Sequence, residues 1–195
     1  MPRLRQASHC ISCNHCIPEC PQRINIPQEM HRIDRFVEAL KIGDADLGEI
    51  TTLATLLKQL DAGRLSCVIS NNGEVSTYRQ SGVQDLYDLL SEGGEKLKGA
   101  LVADKIIGRG AAAMMVLGGV KAVNTHTIST PALQMLRNGG VKVYFDTEVD
   151  YIENRRKTGQ CPLDSRLQNL TDPKECWPVI QKFVADLRAG VDVMQ

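Results

Sequence analysis

Apolar residues recur along this chain at three- and four-residue intervals in some stretches and in short β-branched runs in others, which sorts it into helices and strands. Met30, Ile33, Phe36, Val37 and Leu40 follow Pro27 at helical spacing and stop near Gly43, so the pattern predicts an amphipathic helix; residues 43–48, rich in Gly and Asp, read as a linker. Leu53, Leu56, Leu57 and Leu60 predict a second helix over 52–60, ended by Asp61-Ala62-Gly63. Two short runs, Cys67 to Ser70 and Glu74 to Arg79, flank Asn71-Asn72-Gly73 and predict a β-hairpin, because Asn and Gly tolerate positive φ. Beyond it the pattern predicts a short helix over 83–90, a longer helical region over 97–119, a strand over 121–128, a helix over 131–138, a strand over 141–145 and a closing helix over 172–188.

This order of elements predicts a mixed sheet covered by helices, a three-layer α/β domain over residues 50–190, preceded by a small separate module over 1–42. No internal repeat is visible, so the elements of the larger domain need one common core.

Composition narrows the function classes. The chain has 195 residues, 43% hydrophobic and 24% charged, enough apolar material to exclude long-range disorder. Lys and Arg number 23, as do Asp and Glu, so the formal charge is zero and the basic excess that holds a phosphate backbone is missing; nucleic acid is not an expected partner. The longest nearly apolar run, Gly110 to Val120, is about half of the roughly 20 residues a membrane span needs. A polar, Cys-rich run follows Met1-Pro2-Arg3-Leu4-Arg5-Gln6 where a signal peptide would carry an apolar core, so a cytoplasmic protein without a membrane partner is expected.

Four of the seven cysteines, Cys10, Cys13, Cys16 and Cys20, form a C-x2-C-x2-C-x3-C run closed by Pro21. That spacing lets a tight loop wrap one iron–sulfur cubane with its thiolates inward. Disulfides would suit a small oxidised domain, and structural zinc sites usually bring two separated Cys/His pairs, with His9, His15 or His31 as further donors; the compact run favours one [4Fe–4S] cluster over both. Either Cys20 or a distant Cys would supply the fourth ligand, and His15 would either donate to a sulfur or lie exposed.

The stretch from Ala7-Ser8-His9-Cys10 through Cys20-Pro21-Gln22-Arg23-Ile24-Asn25-Ile26-Pro27, with the helix after it, resembles the ferredoxin-like tail of bacterial iron–sulfur aldo/keto reductases over about the first forty residues. The resemblance implies a ferredoxin-like module, electron transfer or redox sensing, and a redox partner such as a reductase. It does not carry the reductase activity, because the barrel of about 250 residues that performs it is not among these residues.

In the larger domain, Ala103-Asp104-Lys105-Ile106-Ile107-Gly108 reads as the start of a small-residue helix with an adjacent acid and base. Asp104 and Lys105 are either a solvated charge pair or the floor of a pocket. Gly108-Arg109-Gly110 lacks the spacing of a P-loop or a dinucleotide loop. Cys161 follows the basic run Asn154-Arg155-Arg156-Lys157, which would lower its pKa or hold an anion, and otherwise is an ordinary loop cysteine. His126 reads as a hydrogen-bonded structural residue, and Trp177 as packing.

From about Leu57 to Asp164 the chain resembles a bacterial domain of unknown function with the cytidine deaminase-like fold, on Ala103-Asp104-Lys105-Ile106-Ile107-Gly108, Ile128-Ser129-Thr130-Pro131-Ala132-Leu133 and Gly159-Gln160-Cys161-Pro162. That resemblance implies a nucleotide-like ligand. Zinc deaminases need His-x-Glu and Pro-Cys-x-x-Cys, and the expected positions here hold Asp104-Lys105-Ile106 and Pro131-Ala132-Leu133-Gln134, so the usual zinc-hydroxide route is disfavoured.

The sequence therefore predicts a [4Fe–4S] protein whose cluster module is coupled to a small-ligand-binding domain. The alternatives are a non-zinc enzyme of deaminase-like fold using Asp104, Lys105 and Cys161 on a nucleotide-like substrate, and a cluster-stabilised interaction module.

Overall fold

The computed structural model describes residues 10–21, 24–41, 46–80, 83–154, 156–191 and 193. His9, the core of the expected linker (43–45) and Arg155 of the basic run lie outside the described residues. Two compact units are present, Met1–Ile50 and Thr51–Gln195.

In the first unit, the cysteine loop leads into α1 (Ile26–Lys41), where Ile33 and Val37 stay on the surface. Ser12 Oγ lies 2.6 Å from His31 Nε2, tying the loop to α1. Asp46 starts α2 (Leu47–Ala62) by accepting the backbone N–H groups of Gly48 and Glu49, as an N-cap carboxylate does.

The second unit is built on one five-stranded sheet of order β2-β1-β3-β4-β5. The hairpin β1 (Cys67–Asn71) and β2 (Glu74–Tyr78) turns through Asn72 and Gly73, whose φ values of 50° and 83° are those of a tight primed turn. β1 also pairs antiparallel with β3 (Leu101–Ile107), which runs parallel to β4 (Ala122–Ser129), itself parallel to β5 (Lys142–Val149). Helices α3 (Gln84–Ser91), α4 (Arg109–Leu117), α5 (Thr130–Asn138), α6 (Pro162–Arg166) and α7 (Pro173–Arg188) complete the unit. Asp172 caps α7 by accepting the Lys174 N–H at 2.9 Å.

Residues 97–119 are not one helical region. The run Leu101 to Ile107 is a central strand paired with β1 and β4, and only after Gly108 does α4 begin. A short apolar run has no periodicity that separates buried strand from buried helix, and the open backbone groups of its neighbours decided the matter.

Side chains alternate across the sheet. Cys67, Ile69, Val102 and Val123 join the larger core, which includes Met114 and Met115 of α4, Leu136 of α5 and Ile180 of α7. Val68, Ala103 and Ala122 meet Leu53, Leu56 and Leu60 of α2. Helices thus cover both faces, and α4 lies buried among others because Gly110 and Ala111 to Ala113 leave its flanks slim. Leu60→Ala, in the smaller core, should cost about 2–5 kcal/mol in chemical denaturation, the range for a fully buried leucine.

Candidate functional site

Strand register places five residues in one line across the sheet: Tyr78 opposite Cys67, Cys67 opposite Asp104, Asp104 opposite Thr125, and Thr125 opposite Phe145. Cys67, Tyr78 and Phe145 of this line belong to the larger core, so a thiol, a carboxyl and two hydroxyls cross an otherwise apolar face. The line crosses the middle of the parallel strands, at the fourth residue of each of β3, β4 and β5. Above it, buried Asp85 of α3 accepts the Ser66 hydroxyl at 2.7 Å. The Tyr78 hydroxyl is buried without a hydrogen-bond partner among the described residues, as is that of Ser129 at the end of β4.

Asp104 is the chemically unusual member. Burial pushes its pKa up to about 7, against the pull of the Ile106 and Lys105 backbone N–H groups and of the Lys105 charge, and with a further push from the Asp85 charge. The Ile106 N–H reaches its Oδ1 at 3.2 Å, and the residue keeps part of its surface open. A carboxyl poised near neutrality can both give and take a proton. Cys67 is held as the thiol: burial raises its pKa well above the ordinary value, and Asp104 and Asp85 raise it further.

Lys105 meets Asp104 through its backbone N–H and its charge, while its side chain leaves on the other face. Consecutive strand residues face opposite sides, and the pairs Asp104–Thr125 and Ile106–Thr127 put Lys105 level with His126 on the α2 face. There His126 Nδ1 lies 2.7 Å from Asp146 Oδ2 and its Nε2 lies 2.8 Å from Asp61 Oδ1. Burial pulls the imidazole pKa down, but the hydrogen bonds and charges of Asp146 and Asp61 outweigh it and leave the pKa above the ordinary value.

Cys161 lies elsewhere again, as the residue before α6. Three positions on, Asp164 buries its carboxylate at the N-terminus of α4, accepting the Gly110 N–H at 3.3 Å. Burial raises the Asp164 pKa, and the Arg109 and Gly110 N–H groups and the Arg109 charge pull against it. Arg109 in turn donates to the carbonyls of Leu167, Gln168 and Leu170 at 2.9–3.1 Å, holding α6 and the chain after it against α4. The sequence pattern missed Asp85, Asp146 and Asp164; each is one carboxylate among many until the fold supplies its partner. Trp177 stacks on Tyr87 with centroids 5.4 Å apart.

The cysteine run requires a correction. Cys10, Cys13, Cys16 and Cys20 are all described and all free, yet among the described residues no three His, Cys, Asp or Glu side chains come together as a metal ion requires. Ser12 and Asn14 take positive φ, and two successive turns, Asn14 to Ile17 and Ile17 to Cys20, leave Cys13 exposed and the others half-exposed. Spacing permits a wrapped cluster; convergence of the sulfurs, which spacing does not enforce, is what binds it. The residues do not fit the group. The ferredoxin-like iron–sulfur module, the [4Fe–4S] cofactor, the metal-binding role of the four cysteines and the electron-transfer or redox-sensing function are set aside.

What remains is an α/β domain with a mixed five-stranded sheet and a polar line running across it. The profile of a domain of unknown function, DUF1893 (TM1506), matches residues 55–184, and the chain belongs to that family. The crystal structure of a DUF1893 family protein (TM1506) from Thermotoga maritima matches at a TM-score of 0.61 and 22% identity, over 67% of this chain and 88% of that one, a likeness of fold. A diaminohydroxyphosphoribosylaminopyrimidine deaminase/5-amino-6-(5-phosphoribosylamino)uracil reductase from the same organism matches at a TM-score of only 0.36 and 14% identity, over 51% of this chain and 36% of that one, and carries no argument. The reductase-tail resemblance falls with the missing cluster geometry, while the resemblance to a bacterial domain of unknown function is met by DUF1893, with no deaminase-like assignment carried over. No curated protein matches the chain. Among the described residues no helix is long and apolar enough to cross a membrane.

Proposed function

We propose that the DUF1893 domain of this protein is an acid–base enzyme for a small, nucleobase-like substrate, with Asp104 as the group that gives and takes the proton. The carrying observation is the polar line: a partly open carboxyl with a pKa of about 7, set between Cys67 and Thr125 on a buried sheet face, with the Asp85 carboxylate nearby. Such placement costs stability, as sites kept for chemistry do. A carboxyl that can either donate or accept suits a heterocycle whose edge carries both donors and acceptors. In this reading Asp104 transfers the proton, burial raises its pKa, and the charge of Asp85, anchored by Ser66, adds to that rise. Lys105, on the other face, acts on that step only through its backbone N–H and its charge, which pull the Asp104 pKa down.

The test is a carbon-detected NMR titration of the Asp side chains, followed by amide shift mapping with cytidine, adenosine, guanosine and the free bases. Asp104 should titrate near 7, and at least one compound should shift the amides of Cys67, Asp85 and Thr125 in the native chain but not in Asp104→Asn. A titration near 4, or no shift with any of the six compounds, overturns the proposal.

A further inference from the structure

We propose that Asp61, His126 and Asp146 form a pH-sensitive clasp that holds the C-terminal end of α2 on the sheet while His126 is protonated. It lies on the α2 face of the sheet, apart from the Asp104 line and independent of the function proposed for it.

The geometry requires the proton. A neutral imidazole has one N–H and one lone pair, so it can donate to only one carboxylate, and its bare nitrogen would face the other at hydrogen-bond distance. Here both ring nitrogens meet carboxylate oxygens, at 2.7 Å and 2.8 Å, which an imidazolium satisfies with two charge-assisted bonds. The two arms are unequal: the Asp146 side chain is 21% exposed and the Asp61 side chain 52%. When His126 loses its proton, it keeps one donor, and the outer arm, Asp61, is the one released.

The end of α2 has its own reason to need the cation. Asp61 stands in the last turn, where the helix dipole disfavours negative charge, and no basic residue of that turn offsets it. The His126 imidazolium supplies the missing positive charge from the sheet. Other titratable groups at this level are Lys105, level with His126 on β3; Tyr144, two residues before Asp146 on β5; and Lys58, three residues before Asp61 on α2. Glu148, further along β5, accepts the Thr130 hydroxyl.

The sign follows from the raised pKa of His126. A histidine with a folded pKa above its unfolded value contributes its full stabilisation below about 6.5, the unfolded value, and loses it as pH rises through the folded pKa. The clasp is therefore closed in mild acid and opens in base.

Hydrogen exchange of the amides of residues 57–62, corrected for intrinsic rates, tests it in the full chain beside the imidazole NMR titration. His126 should titrate above 6.5, and Asp61→Asn should lower that value. The opening equilibrium of the last turn of α2 should rise about two- to fivefold across the titration, the size that half-exposed ion pairs support. In His126→Gln it should stay flat with pH, and circular dichroism checks that this variant folds. An imidazole titrating at or below 6.5, or a native last turn whose opening ignores pH, overturns the clasp.

Discussion

Replacing Asp104 with Asn should make the domain more stable above neutral pH. The folded carboxyl has a pKa of about 7, while an unfolded Asp titrates near 4, so between these values the unfolded chain gives up its proton first. Stability then falls as pH rises from about 4 to about 7 and flattens above, with a total loss of up to about 4 kcal/mol. Asn has the same shape and no proton to lose. Urea unfolding at pH 5 and pH 8 should show the native domain losing stability between the two, with Asp104→Asn holding its value and exceeding the native chain by about 2–4 kcal/mol at pH 8. Equal stabilities at pH 8 would mean that Asp104 is ionised at no cost, and the proton-transfer role would lose its basis.

A second large effect is expected at Gly108. Its backbone is extended, so any residue could take its φ; the obstacle is space. A Cβ there would lie 2.5 Å from Asp164 Oδ2 and 2.8 Å from Oδ1, inside contact distance of a buried carboxylate on a short side chain. Gly108→Ala must push that carboxylate off the N–H groups of α4, leaving buried donors unsatisfied, at a cost of about 2–3 kcal/mol. In an Asp164→Ala background the same substitution should cost under about 0.5 kcal/mol, because the obstacle is gone. Equal costs in the two backgrounds would show that the carboxylate moves freely and is no fixed cap. Sequence alone reads Gly108 as the small residue of a helix start; that it makes room for a side chain 56 positions away is visible only in the fold.

The elements most legible in the sequence were those whose determinants are local. Asn72-Gly73 makes the hairpin, Asp172 caps α7, and Leu53, Leu56 and Leu60 mark the buried side of α2. Legibility failed where two conformations suit the same residues. Leu101 to Ile107 reads as helix beside the Ala-rich segment that follows, and it became a strand because β1 and β4 bond to both its edges. That single change set the two side chains on opposite faces of a sheet, Asp104 on the side of Cys67 and Lys105 level with His126.

The cysteine run shows the same limit from the opposite direction. Its spacing is a strong local pattern, yet the ligand geometry it predicts is absent among the described residues, because spacing restricts only how far apart sulfurs can be.

The sequence by itself determined the α/β character, the hairpin, most helices, and the presence of an acid at position 104, because short-range torsional preference and hydrophobic spacing act within a few residues. Only the tertiary structure decided what that acid does. Register set it between Cys67 and Thr125, α3 brought Asp85 near it, and burial moved its pKa. The partners of His126, 65 and 20 residues distant, were likewise chosen by packing. Charges and hydrogen bonds depend on distance through space, and distance through space is what a linear pattern of residues does not contain.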